Sequence, residues 1–426
     1  MKLSKPAIIK HFLTFRLSRL MRSNWVGSAR KKTWKKNLSR SPFYSSLVSS
    51  GEFPLMNKEL FMENFDSINT VGIKKEEAFA LAQESEKSRD FAPAIRGISI
   101  GLSSGTSGNR GIFLTSKREK ELWVAAVLDR VIGISWKKRK VAFFLRANNN
   151  LYEAVQSRLL AFHFFDIKIP LTNHFPNLID LDPDILVGQP SVLVALAQHY
   201  VRIGKKADFT KVVSVAEVLE EDQRDFLTQV FGCNISQVYQ CTEGFLAYTC
   251  REGHLHLNED WLEIEKRYLD DSKTRFHPII TDYLRSSQPV VRYELNDILH
   301  EGPPCSCGSK STVLSKIEGR SDDVFRFEQG NAAVDIYPDF IRRSVLLASE
   351  DIVNYRVTRI GEKKLSVFLE VLKPEKREML FQRVQKELKV LFSTYGIEGM
   401  EIIKADLNHN PMNKFKRVKN EYSKNV

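Results

Sequence analysis

The chain has 426 residues, 42% apolar and 27% charged, which excludes a disordered or low-complexity protein and exceeds what one core usually holds, so two or three domains are expected. No apolar run approaches the roughly 20 residues that cross a bilayer, and five cysteines in so long a chain do not form a secreted disulfide framework, which points to a reduced, cytoplasmic setting. The net charge of +12 sits in residues 1–51, with twelve Lys and Arg and no acid before Glu52; nucleic acid, an anionic membrane surface, an acidic partner or plain solvent around a basic helix pair each fits such a segment.

The start is also Arg-rich and acid-poor like a transit peptide, but "SRSPFYSSL" reads as a continuing folded element. From about 95 to 245, short apolar runs alternate with helical patterns. Strands are expected at 140–145, 165–170, 184–188, 211–216 and 234–239. Amphipathic helices are expected near 117–131, 151–163, 190–203 and 217–231. Ser116 and Glu119 form a capping box for the first of these. Such alternation implies α/β architecture with a mostly parallel sheet. Residues 245–320 hold short strands and read as a β-rich part packed beside it. Beyond 320 an α-β-β-α-β order suggests a small α+β domain. The expected division is therefore 1–320, including the basic helical segment 1–51, and 321–426.

"GLSSGTSGNRG" (101–111) follows an apolar run and is followed by "IFLT". Gly, Ser and Thr between strand and helix can present amides and hydroxyls to a phosphate, with glycines allowing close approach. An ordinary turn has the same composition. The spelling matches neither the Walker loop nor the dinucleotide fingerprint, which disfavours their owners.

The loop resembles the phosphate-binding loop of the adenylate-forming superfamily of acyl-CoA synthetases and aryl-acid ligases. Four later segments resemble that superfamily's motifs in the same order: "VYQCTEG" (238–244), "PVVRYELND" (289–297), "IEGRSDD" (317–323) and "NPMNKFKRVKN" (410–420). Together with "SPFYSSL" and "PCSCG", the spelling is closest to the phenylacetate–CoA ligase-like branch. The resemblance implies a large α/β domain with a mobile C-terminal lid. It also implies attack of a carboxylate on the α-phosphate of ATP with release of pyrophosphate, then transfer of the acyl group to coenzyme A or a carrier-protein phosphopantetheine.

Site roles follow from the resemblance. Ser103, Ser104, Gly105, Thr106, Ser107 and Gly108 would hold the β- and γ-phosphates. Thr242 would bond the α-phosphate and Glu243 would ligate Mg²⁺, which prefers carboxylate oxygen. Asp297 would accept the ribose hydroxyls, Arg320 would contact ribose or phosphate, and Asp322 would be the hinge. Ala216 and Glu217 would border the adenine, with Tyr239 nearby. Lys414 would bridge carboxylate and α-phosphate; Arg417 keeps the family's three-residue offset, and Lys416 and Lys419 are neighbouring cations. Asn296 and Asn413 stand where the family usually has Gly. Phe143, Phe144 and Phe245, with Tyr239 and Tyr248, are the candidates to line an acid pocket, and their aromatic character suits an aryl acid.

Cys305 and Cys307 in a Cys-x-Cys knuckle, with Cys250 and a histidine of "GHLH", form the S₃N set that tetrahedral zinc takes. Two reduced cysteines in a loop fit the spacing equally. Some members of the branch hold a structural zinc at comparable positions, and the resemblance selects His256 over His254. A carrier protein is usually acidic, so Lys31, Lys32, Lys35 and Lys36 offer it a docking surface; the branch also admits a homodimer. The competing readings are an adenylating enzyme with a non-thiol acceptor and a non-catalytic nucleotide-binding homologue. No nucleic acid is expected, because the excess charge lies outside the motifs.

Overall fold

The structure is a computed structural model that describes residues 3–20, 27–88, 90–103, 110–133, 135–145, 160–167, 169–329, 332–349, 351–406 and 415–422. It divides into two compact units. The first comprises Met1–Leu295 and Leu299–Lys316, the second Asn296–Ile298 and Ile317–Val426.

The first unit is built on a large sheet. Strands Arg139–Leu145, Leu160–Asp166, Ile185–Gly188, Lys211–Val215 and Ile235–Gln240 are parallel neighbours. The runs of Val, Ile, Leu and Phe in Arg139–Leu145, Ile185–Gly188 and Lys211–Val215 are buried on both faces, as a covered parallel sheet requires, while Leu160–Asp166 at the edge leaves His163 exposed. Helices Pro190–Arg202 and Glu221–Phe231 pack Leu193, Leu196, Ala197 and Leu227 against Phe144, Leu186 and Val212. At Ile235–Gln240 the sheet turns antiparallel, pairing with Phe245–Thr249 and then Leu255–Leu257. The expected β-rich part is thus a continuation of the same sheet rather than a separate layer beside it.

Two element expectations change. Residues 160–163, read as the end of a helix, begin a strand that ends at Asp166, so "FDIKIP" contributes only its first two residues to that strand. Leu160, Phe162 and Phe164 alternate with their neighbours at period two, and the strand signal beats the helical one. The helix expected from 217 starts at Glu221. Glu220 and Gln223 form its capping box, while Glu217 is spent elsewhere. At Ser116 the capping box is formed as read: Glu119 N–H meets the Ser116 hydroxyl, and the Glu119 carboxylate returns to the Ser116 amide at 2.7 Å.

The basic N-terminal segment is part of this unit. Helix Lys5–Leu20 packs on helix Lys117–Val127, and Phe15 meets Trp261 at 4.9 Å. Arg19 reaches the buried Asp129 at 2.7 Å. A π-turn, Leu128–Ile132, brings Arg130 to the buried Asp260 at 2.7 Å and over the Tyr248 ring. Each of these buried charges has an opposite partner, without which burial would be prohibitive.

In the second unit, strands Ile352–Gly361 and Lys364–Val371 form an antiparallel pair flanked by parallel strands Val418–Asn420 and Glu401–Lys404. Helix Arg377–Thr394 lays Leu380, Phe381, Val384, Leu388 and Phe392 on one face, at the helical period, against Tyr355, Val357 and Leu365.

Candidate active site

In an open parallel sheet, ligands bind beyond the carboxyl ends of the strands. Here the ends of three adjacent strands deliver polar groups. After Gly188 come Gln189 and Ser191, after Val215 come Ala216 and Glu217, and after Gln240 come Thr242 and Glu243. Ala216 sits at φ 70, a conformation rare outside glycine, in a turn closed by the Glu217 amide and the Val215 carbonyl at 2.9 Å. Such strain persists where surroundings fix it and marks functional turns. The Glu217 carboxylate accepts from the Ser191 hydroxyl at 2.8 Å, at the N-terminus of helix Pro190–Arg202. This ties two strand ends together and commits the Glu217 carboxylate to Ser191.

Thr242 donates its hydroxyl to the Glu243 carboxylate at 2.8 Å, in a turn where the Cys241 amide meets the Gly244 carbonyl at 3.0 Å. Tyr239 is buried one strand position before Gln240. Ser103 closes the base of the glycine loop. Its backbone N–H donates to the Gly111 carbonyl at 2.8 Å, and its hydroxyl accepts from the Gly111 amide at 2.7 Å. The loop is thereby mounted on the hairpin Ile98–Leu102/Ile112–Thr115. Ser104, Gly105, Thr106, Ser107 and Gly108 lie outside the described residues, as does Lys414.

The aromatic candidates separate. Successive strand residues point to opposite faces, so Phe143 and Phe144 do not line one pocket. Phe144 is fully buried, stacks on Phe165 at 4.6 Å and belongs to the core under the helices. Tyr248 is occupied by Arg130, whose guanidinium lies 4.8 Å from its ring centroid. Phe143 and Phe245 remain, both nearly buried.

One carboxylate escaped the sequence reading. Asp282, at the end of strand Arg275–Asp282, is 4% exposed. A Cβ on Gly244 would meet its Oδ2 at 3.3 Å, so a larger residue after Glu243 would require the Asp282 carboxylate to shift by a few tenths of an ångström. Burial pushes its carboxyl up to about 6, with Glu119 adding to the rise and the Leu284 amide and Arg285 opposing it. Its only local signal is its place as the acid that closes the apolar run "HPIITD". Because the folded-state value lies above the unfolded one near 3.9, the folded state holds this proton more tightly between pH 4 and 6. Its contribution to stability therefore falls as pH rises through that window and stays lost above it. Asp282→Asn should be more stable than the parent above pH 6, by roughly 3 kcal/mol, with the difference vanishing towards pH 4. Denaturant midpoints across this range check it; a pH-independent difference would refute the assignment.

In the second unit, the Asn296 side-chain amide donates to the Asp322 carboxylate at 2.8 Å, and the Asn296 carbonyl accepts from the Ser321 amide at 2.8 Å. Arg320 and Asp297 pair at 3.5 Å. Asn296, in the place of a glycine, thus ties "ELND" to "GRSD". Asn296→Gly should cost about 1 kcal/mol in this unit, read by thermal unfolding; an unchanged midpoint would mean the bond carries no weight. Near the C-terminus, Lys416 is committed to the buried Asp323 at 2.6 Å and Lys419 to Glu421. Arg417 is buried over the Tyr355 ring at 4.8 Å.

The Cys250, His256, Cys305 and Cys307 ligand atoms all lie within 4.8 Å of one another. Cys250 and Cys305 sulfurs are 3.8 Å apart, and Cys307 Sγ is 3.5 Å from His256 Nε2. A tetrahedron with zinc–sulfur bonds of 2.3 Å and zinc–nitrogen bonds near 2.0–2.1 Å has edges of about 3.8 and 3.5 Å. His256 Nδ1 faces the Ser311 carbonyl at 3.3 Å, which leaves Nε2 as the ligating nitrogen. The Cys307 and Ser309 amides donate to Cys305 and Cys307 sulfurs at 3.4 Å. Burial and the neighbouring sulfurs push the Cys307 thiol up to about 11, since three thiolates this close repel without a cation. His254 stands outside the set, its Nδ1 3.3 Å from Cys305 Sγ.

No family model matches the chain. An indoleacetate–lysine synthetase from Pseudomonas savastanoi is 24% identical over 217 residues. The match covers 50% of this chain and 52% of that protein, so the chain spans about half the length of the curated relative it matches. Among solved structures, a 2-hydroxyisobutyryl-CoA ligase in the postadenylation state superposes with a TM-score of 0.65 at 14% identity, over 93% of this chain and 90% of that one. A benzoate CoA ligase from Burkholderia xenovorans LB400 superposes at 0.51 with 16% identity, over 76% and 69%.

Proposed function

We propose, from the premise that this chain has the fold of the adenylate-forming ligases, that it activates a small carboxylic acid as its acyl-AMP and passes the acyl group to a nucleophile. The observation that carries the reading is the edge of the parallel sheet, where the strained Ala216 turn and the Thr242–Glu243 pair leave adjacent strands. In the first half-reaction a carboxylate oxygen bonds to the α-phosphorus of ATP while the bond to pyrophosphate breaks. Two anions approach, so donors and cations aimed at the developing charge set the rate. With ATP in place the Thr242 hydroxyl turns its single proton from Glu243 to the α-phosphate, the Ser103–Gly108 loop holds the leaving phosphates, and Asp297 with Arg320 takes the ribose. Lys414 supplies the positive charge shared by carboxylate and phosphate. Glu243 is the oxygen ligand for Mg²⁺, which neutralises phosphate charge when bound. Asp322, held by Asn296, is the hinge residue.

The acid is aromatic in this reading, seated by Phe143 and Phe245. The acceptor is a thiol, coenzyme A or a carrier phosphopantetheine. An amine acceptor is the second reading, favoured by the similarity to a lysine-conjugating synthetase. Product mass after incubation with ATP, a panel of aryl acids and either coenzyme A or lysine separates them. A thioester supports the first, a stable amide the second, and AMP release without either product would leave neither. The Cys250, His256, Cys305, Cys307 set would hold a structural zinc, which would staple the 249–256 hairpin to the 303–312 loop.

A further inference from the structure

We propose that one face of the first unit, formed by the outer side of helix Lys5–Leu20 and the loop 135–138 with the first residues of strand Arg139–Leu145, docks on an anionic phospholipid bilayer. Ile9, Leu13 and Leu17 are each 58% exposed and recur at i, i+4 and i+8, so they form one stripe. The opposite side of the helix is the one that packs, through Ile8 and Phe15. Lys5 and Lys10 flank the stripe and are exposed. Trp136 is 90% exposed and is followed by Lys137, Lys138, Arg139 and Lys140. Among the described residues, Lys137 and Lys138 are exposed and make no ion pair.

The two features adjoin. The helix packs against the π-turn Leu128–Ile132, which leads into the Trp136 loop. Lys211 donates to the Val131 carbonyl and feels the charges of both Arg19, at the helix end, and Arg139, at the loop end.

Each feature repeats one pattern, an apolar centre with cationic flanks. That is the pattern of interfacial anchors: Trp settles at headgroup level, aliphatic side chains enter the acyl boundary, and lysines meet anionic headgroups. The net charge of the chain equals the twelve Lys and Arg of residues 1–51, a segment with no acid of its own; Arg16 and Arg19 are paired with Asp129 on the packed side, which leaves Lys5 and Lys10 as the cations beside the stripe. A second copy would bring like charge to like charge. Nucleic acid would use the lysines and could stack Trp136, but has no place for Ile9, Leu13 and Leu17.

Co-sedimentation of the full chain with vesicles tests this. Binding is expected to phosphatidylcholine vesicles containing about 30% phosphatidylserine, weakening as salt is raised, with none to phosphatidylcholine alone. Leu13→Gln with Leu17→Gln, and Trp136→Ala separately, should each lower partitioning at least about ten-fold. Lys137→Gln with Lys138→Gln should lower it about five-fold per charge and flatten the salt dependence. These positions are exposed, and unchanged unfolding curves confirm that the variants are folded. Absence of binding to anionic vesicles, or binding indifferent to all three variants, would overturn the proposal. So would self-association or capture of an acidic carrier protein that the Leu13/Leu17 variant abolishes while vesicles go unbound.

Discussion

Lys414→Ala should lower acid-dependent ATP–pyrophosphate exchange by a factor on the order of 10² to 10³, the usual effect of removing one donor aimed at transition-state charge. Its unfolding curve should match the parent's. Lys416→Ala should do the reverse. Its ammonium is 2.6 Å from the buried Asp323, and deleting one partner of such a pair costs about 3 kcal/mol, so it should lose stability and keep exchange where it is folded. Arg417 is buried over Tyr355, and its carbonyl accepts from the Val357 amide at 2.8 Å. Lys416 and Arg417 therefore anchor the strand Val418–Asn420. Comparing both half-effects in the two variants checks the division; equal losses of exchange would mean that the wrong lysine carries the charge.

The second large effect concerns the cysteine cluster. Metal analysis should find about one zinc per chain, and Cys305→Ser should reduce zinc affinity by more than the 10- to 100-fold typical of losing an outer-shell partner. Because the set joins Cys250 and His256 of one hairpin to a loop more than 45 residues away, metal loss frees that loop. A chelator should then lower the thermal midpoint of the parent and leave Cys305→Ser unchanged. Trypsin should then cut faster after Lys310 in the freed loop. Protein free of zinc, with a midpoint insensitive to chelator and to the substitution, would contradict the assignment.

Much of the α/β core was legible because its signals are local. The strands at 139–145, 185–188, 211–215 and 235–240 are short apolar runs between helices with clear periodicity, and the Ser116 capping box forms as written. The strand at 160–166 was misplaced because Phe and Leu serve helix and strand alike over so short a run. Pairing over long separations was the other blind spot. Nothing local in "FLAYTC" shows that it continues the parallel sheet, and Asp282 reads as a strand-end acid until the fold sets it against Gly244. Phe144 could be removed from the pocket only by knowing which face of its strand the helices cover. Conversely, Asn296 reads only as a departure from the usual glycine, and the fold gives its side chain Asp322 as a partner.

The central claim is that the carboxyl edge of the parallel sheet binds ATP for attack by a carboxylate. Acid-dependent exchange of labelled pyrophosphate into ATP, measured with folded protein across aryl and alkyl acids, tests it most directly. The account predicts exchange that requires an acid and Mg²⁺, is strongest with an aromatic acid, and collapses in Lys414→Ala and Thr242→Ala. No exchange with any acid, from protein whose unfolding shows it to be intact, would contradict it.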